Sequence, residues 1–225
     1  MASPCYVINL DSREDRRFEF FSQVTKAGIE VERISAITSD PTWTVHSTPP
    51  GVTACWLSHQ KALLRFLETK EPYAFIFEDD AVFTAEGIEF ISSFESYRKP
   101  DFDLLQIGYL KRRGRLDSGD FDLVTRFKVR KNLLVQHFIG NNSTQPSAVG
   151  RQLLVSNSFE AGTHAYVCSR EMAKLLVTFN NPVILAADLA LIQIARSRLR
   201  NCYRLARSLV GQSDSVSSIN LRQIS

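Results

Sequence analysis

The chain has 225 residues, 44% hydrophobic and 23% charged, with a net charge of +3. That is the balance of an ordinary globular protein, and it excludes disordered, collagen-like and coiled-coil classes. A chain this long buries about 70% of its extended surface, so it needs neither disulfides nor metal merely to fold. No run reaches the roughly 20 apolar residues that span a bilayer, and the first residues lack the basic start and apolar core of a signal peptide. The expectation is one cytoplasmic domain over 1–225.

Residues 5–10 form a short apolar, β-branched run and predict a first strand. Asp11 and Ser12 offer N-caps for a following helix, with Asp15 in capping-box position after Ser12. Phe18, Phe21 and Val24 recur at helical spacing, and Gly28 ends that helix. Residues 29–34 alternate apolar and charged, as a half-buried strand does. Residues 38–52 predict a loop, rich in Thr, Ser and Pro. A second helix is expected over 53–69, with Trp56, Leu63 and Leu67 on one face.

The fully apolar strand 73–77 runs straight into Glu78-Asp79-Asp80. A third helix at 85–97 and a strand at 104–109 follow. Residues 110–160 predict a basic insertion of loops and β-ribbon, including 121–129. A strand at 162–169, a helix at 171–179, a helix from about 185 to 199 and a loosely packed Ser-rich tail at 211–225 complete the pattern. Strands alternating with helices predict an α/β fold, a parallel sheet with helices on both faces. Ligands of such sheets bind beyond the carboxyl ends of the strands.

Nineteen of the 27 cations are Arg, the residue suited to bidentate phosphate and carboxylate contacts. Residues 111–131 carry eight cations against three acids, and 196–207 carry five arginines and no acid. These segments are either solvated faces or sites for an anionic acceptor or membrane surface. No nucleic-acid-binding motif accompanies them, so nucleic acid is not expected as a partner. The four cysteines form no C-x-x-C pair, which argues against zinc. Cys5, Cys55 and Cys168 lie in apolar runs and read as buried thiols of a reducing compartment.

Three consecutive acids at a strand exit repel one another, and a bound cation removes that cost. Strand alternation would point Glu78 and Asp80 one way and Asp79 the other. Oxygen ligands with open positions suit Mg²⁺ or Mn²⁺ held together with substrate phosphates. The competing reading is a helix cap by Asp79 or Asp80, but one cap does not need three carboxylates. The first strand–helix junction, with Asn9, Arg13 and Arg16, is a second candidate, suited to an anion or to simple surface pairing. His59 is either structural or a base. His164 is weak alone but able to ligate metal beside the acids. Asp188, embedded in an apolar run, is either a helix cap or a general base. No G-x-S-x-G elbow, G-x-G-x-x-G or P-loop is present.

Four blocks in register resemble glycosyltransferase family 25, the lipooligosaccharide galactosyltransferase family: Tyr6-Val-Ile-Asn-Leu-Asp-Ser-Arg-Glu-Asp-Arg-Arg17, Gly51-Val-Thr-Ala-Cys-Trp-Leu-Ser-His-Gln-Lys-Ala62, Phe75-Ile-Phe-Glu-Asp-Asp-Ala81 and Gly162-Thr-His-Ala-Tyr-Val-Cys-Ser-Arg170. The resemblance implies a GT-A-like, nucleotide-sugar-binding Rossmann-type sheet. It also implies inverting transfer of a hexose, galactose first and glucose second, from a UDP-sugar to a glycan or glycolipid acceptor such as lipooligosaccharide. Asp80 is then the main ligand of Mn²⁺ or Mg²⁺, with Glu78 and His164 as further metal candidates. Glu78, Asp79, Asn9, Arg13 and Arg16 would lie on the donor, and Asp188 or His59 would act as base. The arginines of 196–207 would hold the enzyme peripherally on the cytoplasmic membrane face. Two other classes compete: a metal-dependent phosphoester hydrolase and a catalytically idle glycan-binding module.

Overall fold

The computed structural model describes residues 2–40, 42, 48–96, 102–110, 148–149, 152–156 and 158–213. The basic stretch expected at 111–131 and the tail beyond 213 lie outside the described residues.

Strands β1 (Cys5–Asn9), β2 (Glu32–Ser35), β3 (Tyr73–Glu78), β4 (Ala81–Phe83), β5 (Leu104–Leu110), β6 (Ala148–Val149), β7 (Gln152–Ser156), β8 (Ala161–Ser169), β9 (Cys202–Leu205) and β10 (Val210–Gln212) join in one sheet. Its order is β2-β1-β3-β8-β5-β9-β7-β6, with β10 attached to β4 and β5. The central strands are continuous apolar runs because both faces of the sheet are covered. Alternate side chains feed two cores. Tyr6, Ile8, Ala74, Ile76 and Tyr166 face one; Val7, Phe75, Phe77, Ala165 and Val167 face the other.

Helices α2 (Pro50–Leu67), α4 (Arg170–Phe179) and α5 (Ala187–Ser197) cover the first face, bringing Trp56, Leu63, Phe66 and Leu176. Helices α1 (Glu14–Lys26) and α3 (Ala85–Ser93), with the 3₁₀ turn Phe94–Ser96, cover the second through Phe20, Val24, Phe90 and Phe94. Trp56 and Phe66 are fully buried, so truncating either to Ala removes roughly 3–5 kcal/mol.

The α/β class and the helices on both faces are as the sequence predicts, but the sheet is mixed. β1 runs parallel to β2 and β3, and β5 runs parallel to β9, yet β8 is antiparallel to both its neighbours, β3 and β5. Parallel neighbours need a crossover connection, usually helical; β8 lies between β3 and β5, neither of which directly precedes it in the chain.

Four local expectations are corrected. Neither Asp11 nor Ser12 caps α1: Arg13 takes the cap position with no side-chain cap bond, Asp11 binds Arg33 and Ser35, and Asp15 pairs with Arg13. The buried stripe of α1 is Arg16, Phe20 and Val24, while Phe18 is 77% exposed; a polar residue at 16 hid the true stripe. Helix α2 begins at Pro50, where the fixed proline φ is preorganised for a first turn. Helix α5 begins at Ala187, so Asp188 sits in its first turn and not at its cap. That helix ends on Arg198 at φ 56°, a left-handed conformation more usual for Gly. All four cysteines are free, and Cys202 is buried as well, while Cys55 is only partly so.

Candidate active site

The parallel register of β1 and β3 sets Ile8 beside Glu78, so the carboxyl ends of both strands open at one place. A cleft of about 350 Å³ lies there, walled by Leu10, Ile37, Ala54, Cys55 and His59 and floored by the three acids. Strand β3 stops at Glu78, and Asp79 and Asp80 form the turn into β4. Strict alternation therefore fails at the acids: Asp79 and Asp80 both reach Arg16.

Glu78 turns toward the first core. It accepts the Thr163 hydroxyl and stands 3.4 Å from His59 Nε2. That contact lacks the alignment of a hydrogen bond, and Nε2 is left without a partner. On its other side His59 Nδ1 lies 3.2 Å from the Tyr166 hydroxyl, and the two rings stack at 5.8 Å. Burial pushes the Glu78 carboxyl up, but His59, the Thr163 hydroxyl and His164 together outweigh it and hold it below the ordinary glutamate range. Glu78 is thus an anion.

Asp79 is the most firmly tied acid. Asn9 Nδ2 donates to it at 2.7 Å and Arg16 Nη1 at 3.1 Å. The Asn9 amide also donates to Arg13 O at 3.0 Å and accepts from Arg33 at 2.8 Å. The Arg16 and Asp79 side chains are 6% and 10% exposed. Breaking such a buried pair by removing one partner costs about 3–5 kcal/mol.

Asp80 is 8% exposed and unevenly satisfied. Its Oδ2 accepts from Gln212 at 2.9 Å and lies 3.5 Å from Arg16 Nη1. Its Oδ1 is buried with no partner. Burial and the neighbouring Glu78 and Asp79 push the Asp80 carboxyl up, against Gln212 and Arg16. An unpaired buried carboxylate oxygen is among the costliest groups a fold can keep, so this atom marks a place for a cation or a donor.

A second compartment of about 230 Å³ adjoins the first, sharing Cys55, Glu78 and Gln212 as its wall. Thr163 and Asp188 line its far side. Asp188 Oδ1 accepts the Leu189 amide at 2.8 Å in the first turn of α5, and the residue lines the compartment. The Cys55 thiol is pushed well up, by burial first and then by Glu78, Asp188 and Asp80. It stays protonated and is no nucleophile.

The structure brings Arg16, His59, Glu78, Asp79, Asp80 and, one compartment away, Asp188 together. It sets Asn9 behind the wall, touching the cleft through Asp79, and it gives Arg13 to Asp15 in a bidentate contact outside the cleft. His164 is buried, and its Nε2 lies 3.1 Å from Val210 O. A carbonyl only accepts, so Nε2 carries the proton and Nδ1 is left unpartnered. Gly108 makes room for this ring, since a Cβ there would fall 2.7 Å from Nε2. His164 is therefore engaged by β10 and not by Asp80.

Among the described residues no group of three His, Cys, Asp or Glu is arranged to hold a metal by itself. The residues fit a cation that is shared with a ligand: one orphaned carboxylate oxygen, all-oxygen donors and open positions. Sequence reasoning missed Gln212, Thr163 and Tyr166 as site residues. Only Gln212 left a signal, an amide at the head of the Ser-rich stretch.

A mixed sheet with an acid-floored cleft at its carboxyl edge defines a GT-A-like glycosyltransferase fold. The same fold occurs in a glycosyltransferase involved in the glycosylation of the major capsid of PBCV-1, with a TM-score of 0.51 at 9% identity, covering 96% of this chain and 95% of that one. A197 from STIV superposes with a TM-score of 0.43 at 14% identity over 93% of this chain and 83% of that chain. The chain belongs to glycosyltransferase family 25 (LPS biosynthesis protein), whose pattern matches residues 50–191. That span includes His59, the three acids, His164 and Asp188. No curated protein matches the sequence. Family membership makes the chain a glycosyltransferase, with a sugar donor and a glycan acceptor as its partners.

Proposed function

We propose that this protein transfers a hexose, galactose before glucose, from a UDP-sugar to a hydroxyl of a glycan acceptor with inversion at the anomeric carbon. The observation that carries the reading is the buried, unpartnered Asp80 Oδ1 on the floor of the larger cleft.

In this reading the nucleotide lies between Leu10, Ile37 and Ala54, with its diphosphate over Asp80 and Arg16. Asp80 would hold Mn²⁺ or Mg²⁺, which when bound neutralises charge on the departing diphosphate. Arg16, anchored by Asp79, adds fixed positive charge at the N-terminal end of α1, where anions are favoured. The acceptor hydroxyl enters the second compartment. Asp188 takes its proton as the oxygen bonds to the anomeric carbon, and the bond from that carbon to the diphosphate oxygen breaks. Glu78, already an anion that accepts from Thr163 and faces His59, orients the sugar between the compartments.

The test is UDP release from a panel of UDP-sugars, with and without Mn²⁺, for wild type and Asp80→Ala. Metal-dependent release that favours one sugar and is lost in the variant is the expected result. Inorganic phosphate as product would instead identify a phosphoester hydrolase. Donor binding that ignores Mn²⁺ and survives Asp80→Ala would leave an idle binding module.

Peripheral membrane contact would rest on Arg196, Arg198 and Arg200. Arg204 lies over the Tyr109 ring at 5.2 Å, and Arg207 is 3.4 Å from Glu86. Among the described residues no helix is long and apolar enough to cross a membrane. Co-sedimentation with anionic vesicles at low salt, absent with neutral vesicles, is the expected outcome.

A further inference from the structure

Strand β10 grips Asp80 twice. It pairs antiparallel with β4 so that Gln212 stands opposite Ala81, the residue after Asp80. Ser213 N donates to the Asp80 carbonyl at 2.8 Å, and Gln212 Nε2 donates to Asp80 Oδ2 at 2.9 Å. The terminal torsion of an aspartate is broad, so the plane of its carboxylate is loosely set until a partner fixes it. Here Oδ2 is occupied by Gln212 and approached by Arg16, while Oδ1 has no partner. Gln212 lines both compartments and is itself exposed at their lip, so it carries none of the core.

We infer that Gln212 is a positioning residue that acts through Asp80, fixing the carboxylate plane so that its unpartnered oxygen is aimed at a cation held with the donor diphosphate. This rests on the metal-assisted donor reading of the same cleft. Without the Gln212 amide the carboxylate plane swings about its broad terminal torsion, and an oxygen is aimed at the ligand only part of the time. Hydrogen-bond partners of metal-ligating carboxylates act in this way.

The experiment is calorimetry of UDP binding, with and without Mn²⁺, on wild type, Asp80→Ala, Gln212→Met and Gln212→Ala, with melting temperatures alongside. Gln212→Met keeps the length of the side chain and removes only the amide. Mn²⁺ should strengthen UDP binding to wild type and not to Asp80→Ala. Measured against each variant's own metal-free affinity, the Mn²⁺ enhancement of both Gln212 variants should fall roughly 10-fold. Full Mn²⁺ enhancement in the Gln212 variants overturns the inference and leaves the donor reading standing. Equal weakening with and without Mn²⁺ also overturns it, since that marks a structural or direct ligand role. No Mn²⁺ enhancement in wild type removes the metal-assisted reading itself, and this inference with it.

Discussion

Two hollows lie at opposite ends of the same strands, and the larger one lacks the chemistry. At the amino ends of β1 and β3 a hollow of about 780 Å³ is lined by residues 2–6, 27–32, 75, 91, 92, 94 and 95. Two of its carboxylates are already engaged. Glu95 accepts from Ser3 N at 3.0 Å, and Glu32 binds Arg65 at 2.7 Å. Burial pushes the Cys5 thiol up to about 12, so it stays protonated. Among the described residues, no lining atom of this hollow is a buried nitrogen or oxygen without a hydrogen-bond partner, whereas the lining of the smaller cleft includes His59 Nε2 and Asp80 Oδ1. Unsatisfied chemistry locates a site better than volume does, and the carboxyl ends of parallel strands are where it collects.

The contrast can be broken, and the largest effect should come from Asp188→Asn. Loss of a general base lowers turnover about 10²–10⁴-fold, and UDP affinity should stay unchanged when measured by calorimetry. Asp80→Ala should follow, lowering donor turnover by about 10², with loss of Mn²⁺ dependence in the same UDP-release assay. A smaller effect concerns pH. The Glu78 carboxyl lies below its ordinary value of 4.5 in the folded protein. As pH falls the unfolded chain takes the proton first, so the stability contributed by Glu78 is present above that value and is lost as pH drops toward the folded one. Glu78→Gln should therefore shrink the difference in urea midpoint between roughly pH 7 and roughly pH 3; an unchanged difference would place the acid sensitivity elsewhere. The smallest effect belongs to the larger hollow. Glu95→Ala should cost about 1 kcal/mol of stability and leave UDP release within about twofold of wild type, and a larger drop in release would give that hollow a role in function.

Much of this arrangement is legible in the sequence, and its gaps have physical causes. The apolar runs at β1 and β3 read correctly because strands covered on both faces carry no polar alternation. The acids at the exit of β3 are conspicuous because charge after a buried run is costly. Local periodicity misled at α1, where the stripe contains the buried Arg16, a residue that counts as polar until its partner Asp79, 63 positions away, is known. The antiparallel β8 could not be read, since strand direction depends on the connection and not on the strand's own residues. Gln212, Thr163 and Tyr166 escaped for the same reason: each matters only through a partner far along the chain, as with the 107 positions between His59 and Tyr166.

The two bonds from β10 to Asp80 also carry a consequence for synthesis. Gln212 reaches its carboxylate across 132 positions. A chain made from its N-terminus at about 5–20 residues per second presents Asp80 several seconds before its partner leaves the ribosome. Most of both cores is already in place by then, because β1, β3, α1 and α2 all come earlier. The nascent protein thus gains its bulk first and its finished site last, and a product cut short before residue 210 would keep nearly the whole scaffold while Asp80 stayed unset.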